Sequence, residues 1–294
     1  MKSLSTTAAP GAPALAEVRV ARRTRGSEVR AVKIVWEREV VRFFSDRLRI
    51  VTSLVQPLLF LFVLGTGLSQ LTSNVSGGLS LRTFLYPGIL AMAVLFTALF
   101  AAASIVWDRE FGFLREMLVA PVHRSSIVIG KCLGGATVAG FQGIIVIALA
   151  GLVGVPYAPL LMLEVFGIQL LLAFTITAFG VMVSARITQI QSFMALTQML
   201  VLPLYFLSGA MFPASHLPTW LTVLNRIDPL TYAVVPIRHL VFAHLTMSPI
   251  ARARLDAGVS WAGWQVPTLL EIAMVAVFGL VMTAVAVLSF SRSE

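Results

Sequence analysis

Lys, Arg, Asp and Glu divide the chain into long apolar runs: residues 50–81, 83–107, 132–163, 165–185, 187–225 and 272–291 contain none of the four. A helix that crosses the bilayer core needs about 20 mostly apolar residues. The runs therefore predict six spans, with cores at 50–68, 84–106, 129–153, 160–185, 189–211 and 264–290. Several cores hold glycine or proline, which a membrane helix tolerates because neighbouring helices satisfy the freed backbone groups. The small-residue stretch 8–16 follows no apolar core of its own, so no cleavable signal peptide is predicted.

Composition agrees. Of 294 residues, 58% are hydrophobic and 12% charged, and the mean hydropathy is +0.90. Soluble domains carry about twice that charged fraction, so a soluble globular protein is excluded. The 22 Lys and Arg exceed the 13 Asp and Glu to give +9, and they are unevenly spread. Seventeen fall on the side of the chain ends and five (Arg82, Arg226, Arg238, Arg252, Arg254) on the other. The positive-inside rule then predicts a multi-pass protein of the plasma (inner) membrane with both termini cytoplasmic. This asymmetry accounts for the charge without nucleic acid. The single cysteine, Cys132, excludes a disulfide within the chain and a multi-cysteine metal site.

Four non-spanning pieces carry further information. Residues 1–27 predict a disordered basic tail whose Arg22, Arg23 and Arg25 are attracted to anionic lipid. Over 28–49, Val29, Val32, Trp36, Val40 and Phe43 recur at helical spacing against Arg30, Lys33, Glu37, Arg38, Arg42 and Arg49, the pattern of an amphipathic interfacial helix. The loop 107–128 packs three acids and three arginines into a short stretch, with Phe111, Leu114 and Leu118 on one face of a helix ending before Pro121. Such a surface suits docking in a protein groove, and a self-contained salt-bridged turn is the alternative. Finally, 211–263 is broken by Pro213, Pro218, Pro229 and Pro236 into short helices expected to re-enter the outer leaflet. A span over 229–247 is disfavoured by Arg238, His239 and His244.

Catalytic chemistry is missing from the sequence. The only Gly-Lys pair, Gly130-Lys131, is followed by Cys132 and lacks the glycine-rich loop that would bind ATP. His123, His216, His239 and His244 have no metal-ligand spacing, and no G-x-S-x-G occurs. No catalytic residue, metal or cofactor is therefore assigned to this chain. Glu164 and Glu271 are acids in or beside spans, and both are expected at the outer interface. Two sparse acids give thin support to a proton-coupled drug carrier, the alternative from another class. Polar positions inside spans, Gln56, Thr97, Gln191 and Gln198, are candidates for a substrate pathway or for burial between helices.

Two strings carry a resemblance. W-D-R-E-F-G-F-L-R-E-M-L-V-A-P-V-H-R (107–124), with Gly130-Lys131 after it, is similar to the cytoplasmic loop of the type-two family of ABC exporter permeases. L-S-G-A-M-F-P-A-S-H-L-P-T-W-L-T-V-L-N-R-I-D-P-L-T-Y-A-V-V-P-I-R-H-L (207–240) resembles that family's external re-entrant segment. The resemblance spans about residues 28–291 and is greatest to the daunorubicin-resistance and nodulation-factor export branches. It implies an all-α integral membrane protein of six transmembrane helices, with an N-terminal amphipathic interfacial helix, a cytoplasmic coupling helix and external re-entrant helices before the last span. It further implies that a separate ATPase, holding ATP and Mg, is gripped by Glu37, Arg38, Asp108, Arg109, Glu110, Gly112, Phe113, Leu114 and Arg115. Two permease copies, expected to be a homodimer, would work with two ATPase copies. Substrate would pass between the first, second and fifth spans, and Phe212, Pro213, Pro229 and Tyr232 would shape the external gate. The expected function is export of an amphipathic or hydrophobic substrate (drug, antibiotic or lipid-like), with a lipid-linked polysaccharide or lipo-oligosaccharide as the alternative cargo.

Overall fold

The computed structural model describes residues 25–67, 80–113, 117, 122–211, 218–249, 252, 255–256, 258–261 and 264–292. Helix α1 covers Arg25–Ser45. Six helices long and apolar enough to cross a membrane follow: α2 Arg47–Gly67, α3 Leu81–Glu110, α4 Arg124–Ala148, α5 Pro159–Ser184, α6 Ile190–Leu207 and, last in the chain, α9 Thr268–Arg292. Between α6 and α9 lie α7 Thr219–Ile227 and α8 Thr231–Ala243. A two-residue hairpin follows, with β1 Ser260–Trp261 antiparallel to β2 Trp264–Gln265. The all-α, six-span expectation is met. All of the tail 1–24 lies outside the described residues.

Helix α3 is the core of the bundle. It is buried along nearly its whole length, started by Ser80, whose hydroxyl accepts from the Thr83 N–H at 3.2 Å, and packed against α4, α5, α6, α8 and α2. Helix α1 lies along α4 because α4 offers glycine there. A Cβ on Gly130 would sit 2.8 Å from the Val35 Cβ, and one on Gly134 would sit 2.6 Å from the Glu39 Cβ. Membrane helices use small residues in this way to bring backbones together where lipid supplies no hydrophobic drive. Helices α2, α6 and α9 sit outside this core and leave apolar faces exposed, among them Val51, Leu59 and Val63 on α2 and Met199 and Phe206 on α6.

Element boundaries differ from the expected ones for local reasons. Asp46 separates α1 from α2 and caps α2 by accepting from the Arg49 N–H at 3.0 Å, so Arg49 belongs to the first span and not to the interfacial helix. Pro57, which has no N–H to give to the ladder, precedes a π-helical turn at Phe60–Leu64. The third span stops at Ala148, because a 3-10 turn at Ala150–Val153 and Gly154 at φ +80° end it. The last span begins at Thr268 and not at 264, because Trp264 pairs in the hairpin and Pro267 precedes the helix. At about 1.5 Å per residue, the 13-residue α8 is too short to cross, and it packs inside against α3, α5 and α9.

Glu271 needs a correction. It was expected at the headgroup interface, yet it is 0% exposed in the first turn of α9. Lying near the end of a span does not expose a side chain that α8 and the hairpin region cover. Glu164, by contrast, is exposed near the start of α5.

Candidate functional site

On the face where α3 ends and α4 begins, charged side chains from three helices, α1, α3 and α4, converge. Lys131, about two turns into α4, is 3% exposed, and its ammonium donates to Glu39 Oε1 on α1 (2.5 Å), Asp108 Oδ2 on α3 (2.6 Å) and Ser104 Oγ (3.0 Å). The other Asp108 oxygen accepts from Arg38 (2.8 Å) and Arg42 (3.4 Å). Buried charges are costly unless paired and hydrogen-bonded, and here both oxygens of Asp108 are satisfied. Arg38 also stands over the Phe113 ring at 6.0 Å, and Arg42 over Trp107 at 5.4 Å. At the start of α1, Glu28 accepts from the His123 N–H and from the Ser126 hydroxyl (2.6 Å), while Trp36 donates to Thr137 at 2.9 Å. Together these contacts join α1 to the ends of α3 and α4 as one block.

The end of α3 also holds the α5–α6 turn. Arg109 donates to the carbonyls of Ser184, Ala185 and Ile187, and Glu110 Oε2 accepts from the Ile190 N–H at the start of α6. A carboxylate at a helix N-terminus satisfies an otherwise orphan donor. Gly112 then takes φ +83°, a conformation that favours glycine, and turns the chain out of α3.

Of the residues that the family resemblance implicated, Asp108 is only 1% exposed, and the side chains of Arg109 and Glu110 are engaged within the chain. Glu37, in an exposed i,i+4 pair with Lys33 (3.5 Å), and Phe113, 51% exposed, are on the surface, as is Phe111 at 71%. Arg38 bridges the two sets, half-buried against Asp108. Leu114 and Arg115 lie outside the described residues. Lys131 and Glu39 escaped sequence reasoning as a pair, being 92 positions apart. The available signal was Glu39 itself, four residues from both Val35 and Phe43, which places a carboxylate on the apolar stripe of α1.

A cavity of about 490 Å³ adjoins this block. Its walls are Phe43 at the end of α1, Arg49, Thr52, Ser53 and Gln56 on α2, Phe96, Thr97, Phe100 and Trp107 on α3, and Met194 and Gln198 on α6. Three of the four proposed pathway residues, Gln56, Thr97 and Gln198, come together here. Gln191 does not; it is exposed in the first turn of α6. The volume is within the range of drug-sized ligand sites.

On the opposite face, α7 and α8 are locked together. Tyr232 is fully buried, donates to the Arg226 carbonyl at 2.8 Å and accepts from the Trp261 indole at 3.3 Å. Pro229 follows Asp228, whose carboxylate accepts from the Leu230 N–H and is pushed up to about 8 by burial. Arg238, also fully buried, donates to the Gly209 carbonyl and stands over the Phe84 ring at 4.8 Å. Phe212 and Pro213, the other two residues proposed for the external gate, lie outside the described residues.

The family model described as ABC-2 type transporter matches residues 30–242. Among curated relatives, ycf38 of Cyanophora paradoxa, named as a transport permease, is 30% identical over 65% of this chain and 67% of its own. Nodulation protein J of Rhizobium leguminosarum bv. trifolii is 28% identical over 71% of this chain and 80% of its own. The probable multidrug ABC transporter permease YbhR of Escherichia coli K12 is 30% identical over 52% of this chain and 42% of its own.

Proposed function

Because the chain belongs to the ABC-2 type transporter family as a transport permease, we propose that it is the membrane subunit of an ATP-driven exporter that moves an amphipathic or hydrophobic substrate out across the plasma membrane. A separate ATPase, holding ATP and Mg, docks on the basic face, which is then cytoplasmic together with both chain ends. The active unit is two ATPases on two permeases. The permease pair is a homodimer, formed where the apolar outer faces of α2 and α6 flank the cavity. Substrate enters the cavity between α2, α3 and α6, and α7 and α8 bound the exit.

One observation carries this reading: the buried Lys131–Glu39–Asp108 junction joins the surface on which a partner would push to a wall of the cavity. Asp108 lies at the end of the same helix that presents Trp107, Phe100 and Thr97 to the cavity. A force on α1 or on the exposed Phe111 and Phe113 therefore reaches α3 through ionic contacts and not through a flexible linker. ATP drives such a cycle only by binding one conformation of the assembly better than the other, and a stiff junction lets that difference act on the cavity. The relatives' printed names, with nodulation protein J and a multidrug permease among them, favour export of a larger organic cargo over an ion.

The test is co-expression with the ATPase encoded beside the chain, followed by co-purification and ATP hydrolysis in nanodiscs. Co-purification of the two subunits, with hydrolysis that loses its response to the permease when Glu110 and Arg115 are both changed to Ala, supports the exporter. A chain that brings down no ATPase, and whose transport collapses with the proton gradient, is a proton-coupled carrier.

A further inference from the structure

Resting on the exporter reading, the geometry points to the chemical class of the cargo: an amphipath with one anionic head group, a carboxylate, phosphate or sulfate, that seats on Arg49 while its neutral body fills the cavity. Arg49 is the only ionised side chain among the described residues that line the space. Among the described residues no carboxylate lies within ion-pair distance of its guanidinium. Glu39 and Asp108 are taken by Lys131, Arg38 and Arg42, and Asp46 caps the backbone N–H of Arg49 itself. What surrounds the guanidinium is aromatic, with Phe100 at 6.0 Å and Trp107 at 5.9 Å from ring centre to Cζ. A guanidinium flanked by rings, on which Asp46 and Glu39 act only from beyond ion-pair distance, can take an anion in direct contact, and its planar fork matches carboxylate and phosphate geometry.

An independent observation lies deeper. Thr97 is 4% exposed, lines the same cavity, and its hydroxyl has no hydrogen-bond partner. Buried hydroxyls are normally paired, so this one is free for a ligand. It is ten residues from Trp107 along α3, about 15 Å at helical rise. Gln56 is seven residues from Arg49 along α2, about 10 Å, with Thr52 and Ser53 between them, and Phe100 lies between Trp107 and Thr97 on α3. From the Arg49 end inward the wall holds one cation and then a mixture of aromatic rings and neutral hydrogen-bonding groups, with no acid among the described lining residues. A cationic amphipath would find no acid on this wall and would bring its charge beside a guanidinium. Attraction of Arg49 to inner-leaflet phosphates explains its charge at the membrane face, but it leaves the orphan Thr97 hydroxyl without a role.

Radiolabelled dodecyl phosphate and dodecyltrimethylammonium, which share a chain and differ in head charge, discriminate the readings. Binding to the full-length chain is measured in phosphatidylcholine nanodiscs, with empty nanodiscs subtracted. The anion binds about 10- to 100-fold more tightly than the cation, the range spanned by a charge-assisted hydrogen bond. Arg49→Gln brings the two probes near parity, and Arg49→Lys keeps part of the preference because the charge remains without the fork. Equal binding of the probes by the natural chain overturns the inference, as does a preference that survives in Arg49→Gln. The natural chain decides the question by itself should Arg49→Gln fail to fold. A preference that persists when phosphatidylglycerol is added identifies the anion as cargo, while displacement by that lipid identifies it as a leaflet headgroup on the same site. No ATPase is needed for this measurement. A chain that selects anions but recruits no ATPase sinks the exporter reading alone, and one that recruits an ATPase but does not select sinks this inference alone.

Discussion

Replacing Lys131 by Met keeps most of the side chain's volume and removes the charge that joins three helices. Glu39 then loses the ammonium 2.5 Å from its carboxylate, while Asp108 retains Arg38 at 2.8 Å and Arg42 at 3.4 Å. Breaking a buried ion pair from one side costs about 3–5 kcal/mol. Because Asp108 keeps two guanidinium partners, the lower end applies, about 3 kcal/mol. At about 2–4 °C per kcal/mol for a chain in this size range, the melting temperature falls by roughly 6 °C or more. Adding Glu39→Gln removes the stranded charge, so Lys131→Met/Glu39→Gln melts above Lys131→Met, and the double-mutant cycle gives a coupling energy above about 1 kcal/mol. The assay is intrinsic fluorescence melting of the purified chain in one fixed detergent, with ATP hydrolysis of the assembled complex measured beside it. The reasoning is refuted if Lys131→Met melts with the natural chain, or if the losses from the two single changes simply add.

Other expectations follow from particular contacts. Gly134→Val puts side-chain atoms where a Cβ alone would meet Glu39 at 2.6 Å, so it lifts α1 from α4 and should lower the melting temperature, whereas Gly167→Val, at a helical glycine with nothing within 4 Å, should not; equal melting of the two variants would count against the close approach. Asp228 is an acid whose pKa is raised on folding, to about 8 from 3.8. The folded state therefore binds the proton more tightly, and stability declines as pH rises from about 4 to about 8 and is level above that. Asp228→Asn should flatten this part of a melting-temperature profile against pH, and an unchanged profile would count against burial as the cause. Phe113→Ala, at a half-exposed ring over Arg38, should leave the melting temperature within about 0.5 kcal/mol of natural stability yet weaken ATPase co-purification; equal co-purification would move the docking surface elsewhere.

The spans were legible because a bilayer imposes a length on charge-free runs, and six such runs gave six helices. The start of the last span was not, because Trp264 is apolar in composition but sits in a hairpin held by backbone pairing with Trp261. Glu271 was misread for a related reason: distance along a helix predicts depth, whereas burial depends on what α8 and the hairpin bring over it. The loop's charges announced a functional surface, but the pattern did not say which way they point. Asp108 is buried against α1 and α4, Arg109 and the exposed Glu110 hold the α5–α6 turn and the start of α6, and phenylalanines 111 and 113 are left outside. Lys131 found its partners only through the fold, since Glu39 lies on another helix far along the chain. Gln56, Thr97 and Gln198 meet in one cavity because their helices are neighbours, which spacing within any one span cannot reveal.

The central claim is that ATP hydrolysis by a partner drives transport through this chain. Its most direct test is cargo movement in proteoliposomes holding the chain and its ATPase, with a fluorescent anionic amphipath as the reporter. The account predicts transport that requires ATP and Mg on the side of the chain ends, that persists with the proton gradient collapsed, and that is lost in Lys131→Met complexes that still contain the ATPase. Transport without ATP that disappears with the proton gradient would contradict it.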